Sequence, residues 1–200
     1  MAPFPRGDDP PEPPGAGTIA SDRVGPALTL AEWLVLVILS HQPAHGFAVA
    51  QQTAPGGELG RIWQIPKAVV YRSIGRLLDA GMITPQGVEA GLGPQRTVYS
   101  ATEEGAKAAR EWLRTPVAHV REVRSQLLLK LALLDQAGED PSELLQRQRM
   151  VLEPIARAIE DRQVECTGFD AILLAWRRST VQAAMDFLDA ITPAPPLPPR

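Results

Sequence analysis

The chain has 200 residues, 44% of them hydrophobic, so it can build a packed core in one or two small domains. Its net charge of −3 and pI near 5.7 argue against a polycation that coats nucleic acid by bulk charge. A single cysteine, Cys166, excludes an internal disulfide and a cysteine-based zinc site, and fits a bystander thiol in a reducing cytosol.

Residues 1–26 hold seven prolines and are predicted to be a disordered arm, as is the proline-rich tail 193–200. The polar, proline-rich start carries no signal-peptide pattern, and the longest apolar run, residues 34–39, is too short to cross a bilayer. Order is predicted from Thr29, which stands at capping-box spacing from Glu32 and opens the helix TLAEWLVLVILSHQ. That helix is apolar on nearly all sides and so should be central. His41 and His45 flank Pro43, which breaks the helix between them. They read as turn histidines and not as a metal pair. A short helix over residues 46–53 follows, then a glycine-rich turn at 55–57.

Residues 61–81, RIWQIPKAVVYRSIGRLLDAG, carry the pattern that organises the rest. Pro66 suits a helix start, Gly81 a left-handed stop. Val70, Ile74, Leu77 and Leu78 make a buried stripe. Ala68, Arg72, Gly75 and Arg76 lie opposite, with Val69 and Tyr71 at the edges. No acid lies between Glu58 and Asp79, whereas Arg61, Lys67, Arg72 and Arg76 are all basic. A helix small and basic on its outer face can enter a DNA major groove and neutralise phosphates. The plainer reading is a solvated surface helix.

Two short helices followed by this one make a helix-turn-helix pattern. Residues 82–88 and 95–101 then read as strands joined by the glycine-bearing loop 89–94, a wing with Gln95 and Arg96 near its base. Thr102 caps a helix that stops before Pro116. Beyond it, three amphipathic helices are predicted. The first, from Arg121, bears Val123, Leu127, Leu131 and Leu134 and ends at Gly138. The second starts at Asp140–Pro141, runs to about Glu165 and bears Leu144, Val151, Ile155 and Ile159. The third spans 170–191 with Leu173, Trp176, Val181, Ala184, Leu188 and Ile191 on one face. Such stripes need burial, either in an intramolecular bundle or, as favoured here, against a second copy.

The order of LTLAEWLVLVIL, HGF, Trp63, VYRSIGRLLDAGMI, the glycine-bearing wing, RTVYSATEEG and EWLRTP resembles the PadR family of transcriptional regulators over residues 28–116. The fold expected is mainly α with a small β-hairpin. A winged helix-turn-helix DNA-binding domain (27–116) would precede a C-terminal helical dimerisation region (117–192). The resemblance implies a cytoplasmic homodimer on double-stranded operator DNA, usually a repressor released by a small molecule. It implies that Tyr71 meets the DNA backbone, that Lys67, Ala68, Val69, Arg72 and Arg76 present the outer face of the third helix, and that Gln95 and Arg96 bring the wing to DNA. Pro66 and Val69 depart from the pattern. A valine cannot hydrogen-bond a base edge, so base reading falls to Lys67 and Arg72. Trp63 and Trp112 are candidates for stacking on a small aromatic effector, with packing between parts of the fold the favoured reading of each.

The rival readings are a winged-helix protein–protein adaptor and a MarR-type regulator. The latter would place a dimerising helix where this chain has its proline-rich arm. No cofactor, metal site or enzyme chemistry is expected. There is no Cys–His pair, no phosphate-binding glycine loop, and Asp161 with Glu165 reads as a solvated acidic face.

Overall fold

A computed structural model describes residues 28–89, 95–161 and 167–192. The arm, the tail, the wing tip and Cys166, with the readings made for them, lie outside the described residues. Helix α1 (Leu30–His41) is capped by Thr29. Its Oγ1 accepts the Glu32 N–H at 3.4 Å, while its own N–H donates to Glu32 Oε2 at 2.8 Å. Every residue from Leu34 to Leu39 is buried, as an all-round apolar helix requires. Strand β1 (Ala44–His45) leads into α2 (Gly46–Thr53), and α3 runs over Lys67–Asp79. Pro66 stands at the N-cap of α3 and offers no side-chain cap. At the other end Gly81 takes φ +68, and the Met82 N–H reaches back to the Leu77 carbonyl at 2.9 Å, closing a Schellman stop.

Strands β2 (Ile83–Glu89) and β3 (Arg96–Ala101) pair antiparallel, with a bulge between Pro85 and Gly87. The expected hairpin is in fact a three-stranded sheet, ordered β1-β3-β2. Ala44 faces Tyr99 and His45 faces Val98. A two-residue strand has no periodicity to read, which is why the sequence does not announce it. Helix α4 (Glu103–Arg114) starts at Thr102, whose Oγ1 accepts the Gly105 N–H at 3.1 Å.

The C-terminal region contains α5 (Val120–Glu122), which passes through a π-helical turn (Val123–Leu127) into α6 (Leu128–Ala137). Gly138 ends α6 with φ +66. Helix α7 (Ser142–Glu160) begins after Asp140, whose Oδ1 accepts the Ser142 N–H at 3.0 Å, and α8 covers Gly168–Ile191. Helices α7 and α8 pack together and are tied by an Arg149–Asp189 ion pair. One continuous hydrophobic core runs from α1 through α3 and α4 into α6, α7 and α8. The C-terminal helices are therefore bound to the first domain by shared packing. Among the described residues no helix is long and apolar enough to cross a membrane.

Two buried polar side chains fasten the joint between the regions. Gln148 of α7 accepts the Val117 N–H at 2.7 Å and donates to the Val117 carbonyl at 3.0 Å. Lys130 of α6, fully buried, donates to the Thr115 carbonyl at 2.5 Å. Its Nζ lies 4.4 Å from the centre of the Trp112 ring. Burial pulls the Lys130 pKa from 10.5 to about 8, against a smaller opposing pull from Glu122. Between those values the unfolded chain holds a proton that the folded chain has released, so stability rises with pH across that window. Replacing Lys130 with Met should flatten this rise. Chemical denaturation of both proteins between pH 7 and pH 10.5 measures it, and parallel curves would contradict it.

Candidate nucleic-acid interface

The buried side of α3 is Val70, Ser73, Ile74 and Leu77, with Leu78 half-buried. The outer side presents Lys67, Ala68, Tyr71 and Arg72 to solvent, with Val69 half-buried. The amphipathic spacing thus turns the basic residues outward by burying their aliphatic neighbours. Among the described residues no carboxylate pairs with Arg72 or Lys67. Tyr71 is 47% exposed, enough for its hydroxyl to reach a partner beyond the surface.

Arg76 departs from the expected pattern. Its Nη1 is 2.9 Å from Glu32 Oε1, and the Glu32 side chain is only 3% exposed. Glu32 also caps α1, so one buried carboxylate serves the helix start and holds the Arg76 guanidinium against α1. The positive charge of Arg76 is thereby largely answered within the protein, and it contributes less to the outer face than the helical wheel suggests.

The wing joins this face through Phe47. The Arg96 guanidinium carbon lies 4.5 Å from the centre of the Phe47 ring. Lys67 Nζ lies 5.2 Å from the same ring and 5.8 Å from that of Tyr71. Cations over an aromatic face are attracted by its quadrupole, so Phe47 gathers one charge from α3 and one from the wing. Gly46 permits the approach: a Cβ there would stand 3.0 Å from both Ile74 Cδ1 and Tyr71 Cε1. His45 caps α2, its Nδ1 accepting the Ala48 N–H at 2.9 Å, and its Nε2 lies 3.5 Å from Arg96 Nη1. Neither Phe47 nor His45 stands out as a site residue in the sequence. The HGF triplet at the start of α2 is the signal that points to them. Gln95 is exposed beside Arg96, ahead of β3.

The structure does not bring Trp63 and Trp112 into a common pocket. Trp112 is 8% exposed and stacks on Trp33 at 5.6 Å and 10° between planes. With Lys130 over its ring as well, little surface is left for a ligand. Trp63 packs half-buried against the core. Both are explained as packing residues. The fourth tryptophan, Trp176 of α8, is 69% exposed and lines a groove of about 920 Å³ with Ile155, Ile159, Leu173, Arg121 and Arg177. Among the described residues no group of three His, Cys, Asp or Glu is placed to hold a metal ion.

Three helices, a two-stranded wing and an outward basic third helix define a winged helix-turn-helix domain. Residues 35–111 match the Transcriptional regulator PadR-like family. Solved structures resemble the chain at a distance. Bacillus subtilis PadR in complex with operator DNA is 17% identical, covering 82% of this chain and 97% of that one, with a TM-score of 0.43. The same protein in complex with p-coumaric acid is 16% identical, covering 82% and 96%, with a TM-score of 0.40. The protein smu.1604c from Streptococcus mutans UA159 is 20% identical, covering 80% and 96%, with a TM-score of 0.39. Likeness at this level fixes no partner or ligand for this chain. No curated protein matches it.

Proposed function

We propose that this protein is a cytoplasmic transcriptional repressor that binds double-stranded operator DNA as a homodimer and is released by a small aromatic effector. The observation that carries the DNA-binding part is the outward pair Lys67 and Arg72, which meets no carboxylate among the described residues and is joined to the wing residue Arg96 across Phe47. A helix of this kind enters the major groove while the wing meets the flanking backbone. DNA binding is assigned to residues 27–116 and pairing to residues 117–192. The exposed stripe Phe169, Ile172 and Trp176 on α8, at 74%, 66% and 69% exposure, supports the second assignment. Large apolar side chains so placed are stabilised by cover, and a twofold partner would supply it. The effector is assigned to the groove beside Trp176, where an apolar floor meets arginines, in preference to Trp63 and Trp112.

The test is binding to the DNA upstream of the protein's own coding sequence, against unrelated DNA of equal length, at two salt concentrations. Tighter binding to the upstream duplex, weakening steeply with salt, is expected. Sedimentation should give a dimer on the duplex. Affinity insensitive to salt, or capture of a protein partner that survives charge reversal at Arg72, would favour the adaptor reading.

A further inference from the structure

We propose that Phe47 is a positioning residue for DNA binding: it holds Lys67 of α3 and Arg96 of the wing as one unit that meets the DNA backbone, which leaves the bases to Arg72. The inference rests on the DNA-binding reading above. Three elements start at this place. Phe47 is the second residue of α2, Lys67 the first of α3 and Arg96 the first of β3. A residue at the start of a recognition helix ordinarily faces base edges, and by helical position Lys67 would do so. Its charge lies elsewhere. Side chains of an α-helix tilt toward its N-terminus. Lys67 reaches back toward α2, with Nζ 5.2 Å from the centre of the Phe47 ring and 5.8 Å from that of Tyr71. The Arg96 guanidinium carbon, 4.5 Å from the Phe47 ring, comes to the same side chain from the wing.

Those two distances keep the charges within about 10 Å of each other, where like charges repel. The ring quadrupole offsets the repulsion by attracting both, and it does so without taking up an N–H group. A long side chain that is already held loses less freedom when it binds, so the ring prepares both cations for an anion. A lysine suits a phosphate as a point charge, and the anion within reach of the start of α3 and the foot of the wing together is the DNA backbone. Arg72 stands apart. It is exposed, and among the described residues no aromatic ring and no carboxylate holds it. Its planar fork matches the two acceptors on a guanine edge.

The test is the affinity of the full chain for the upstream duplex and for unrelated DNA of equal length, across a salt series. Phe47→Leu keeps an apolar side chain and removes the ring. It should weaken both duplexes by the same factor, about three- to tenfold, and leave the ratio between them unchanged. Should that variant fold poorly, Phe47→Met gives the same readout. Phe47→Tyr keeps a ring and should stay within about twofold of wild type. Lys67→Met should weaken both duplexes alike and make the salt dependence shallower by about one unit of slope. In a background that lacks both cations, Lys67→Met with Arg96→Met, removing the ring should cost less than about twofold. An equal loss with and without the cations would make Phe47 a packing residue only and overturn the proposal. Wild-type affinity in both ringless variants, or a tyrosine variant as weak as the leucine one, would overturn it too. A Lys67→Met loss confined to the upstream duplex would return Lys67 to the bases and overturn the assignment to the backbone. A wild-type protein that binds neither duplex overturns both this inference and the reading beneath it.

Discussion

Gly105→Ala is expected to destabilise the protein by about 2–4 kcal/mol, the range of overpacking against a site that cannot relax. A Cβ at this position would stand 2.0 Å from the Met82 carbonyl oxygen and 3.2 Å from Leu36 Cδ1. The carbonyl cannot retreat freely, because it accepts the Thr102 N–H at 3.0 Å. Thr102 Oγ1 also donates to the Gly81 carbonyl at 2.9 Å, so the end of α3, the start of β2 and the first turn of α4 meet at this step. The T-x-x-G spacing thus has a mechanical reading: the threonine caps α4 and the glycine lets it lie on the strand. Moving α4 would also strain its packing on α1. Urea unfolding measures the loss. Gly75→Ala is the matched control, since open space surrounds that position in α3. It should be neutral or stabilise by up to about 1 kcal/mol through helix propensity. Equal stability of Gly105→Ala and wild type would contradict the packing account.

Arg72→Ala should weaken specific DNA binding by about 1–3 kcal/mol if the side chain reads a base. Its folding stability should change by less than about 0.5 kcal/mol, because an exposed side chain with no ion pair among the described residues holds nothing in place. Arg76→Ala should behave in the opposite way. It leaves the Glu32 carboxylate buried beside the Thr29 N–H without its cation. Arg76 is 55% exposed, so solvent screens part of the pair and the expected loss is only about 1 kcal/mol. The two arginines are one turn apart on one helix, so the contrast separates reading DNA from holding α3 on α1. If Arg72→Ala binds upstream and unrelated DNA as tightly as wild type, its base-reading role is lost.

Much of this was legible along the chain because it is local. The capping box at Thr29, the extent of α2, the aliphatic stripe of α3 and the cap at Thr102 depend on residues within a few positions of one another. What the sequence hides is set by distant packing. Nothing near Arg76 says that Glu32, 44 positions away, faces it. Lys130 looks like one more helical lysine until Trp112 and the Thr115 carbonyl are seen to enclose it. For Trp112 the sequence offers both a ligand platform and, preferred, a packing role, and it does not name Trp33 as the ring that lies across it. The last helix was expected to present Trp176 and Ile191 to the same buried face as Leu188. Only Val181, Ala184 and Leu188 are buried, and Trp176 stands in solvent. The candidate site was half visible for the same reason. Lys67, Tyr71 and Arg72 follow from one helix, but Phe47 joins them only because the fold lays α2 beside α3 and the wing.

The central claim is that DNA is met by the outer face of α3 and the foot of the wing. Backbone amide NMR shifts recorded while the upstream duplex is added test it residue by residue. The largest changes should gather at His45, Phe47, Lys67, Ala68, Tyr71, Arg72 and Arg96, with α8 quiet. Changes confined to Phe169, Ile172 and Trp176, with the α3 amides unmoved, would place the nucleic acid elsewhere and contradict the account.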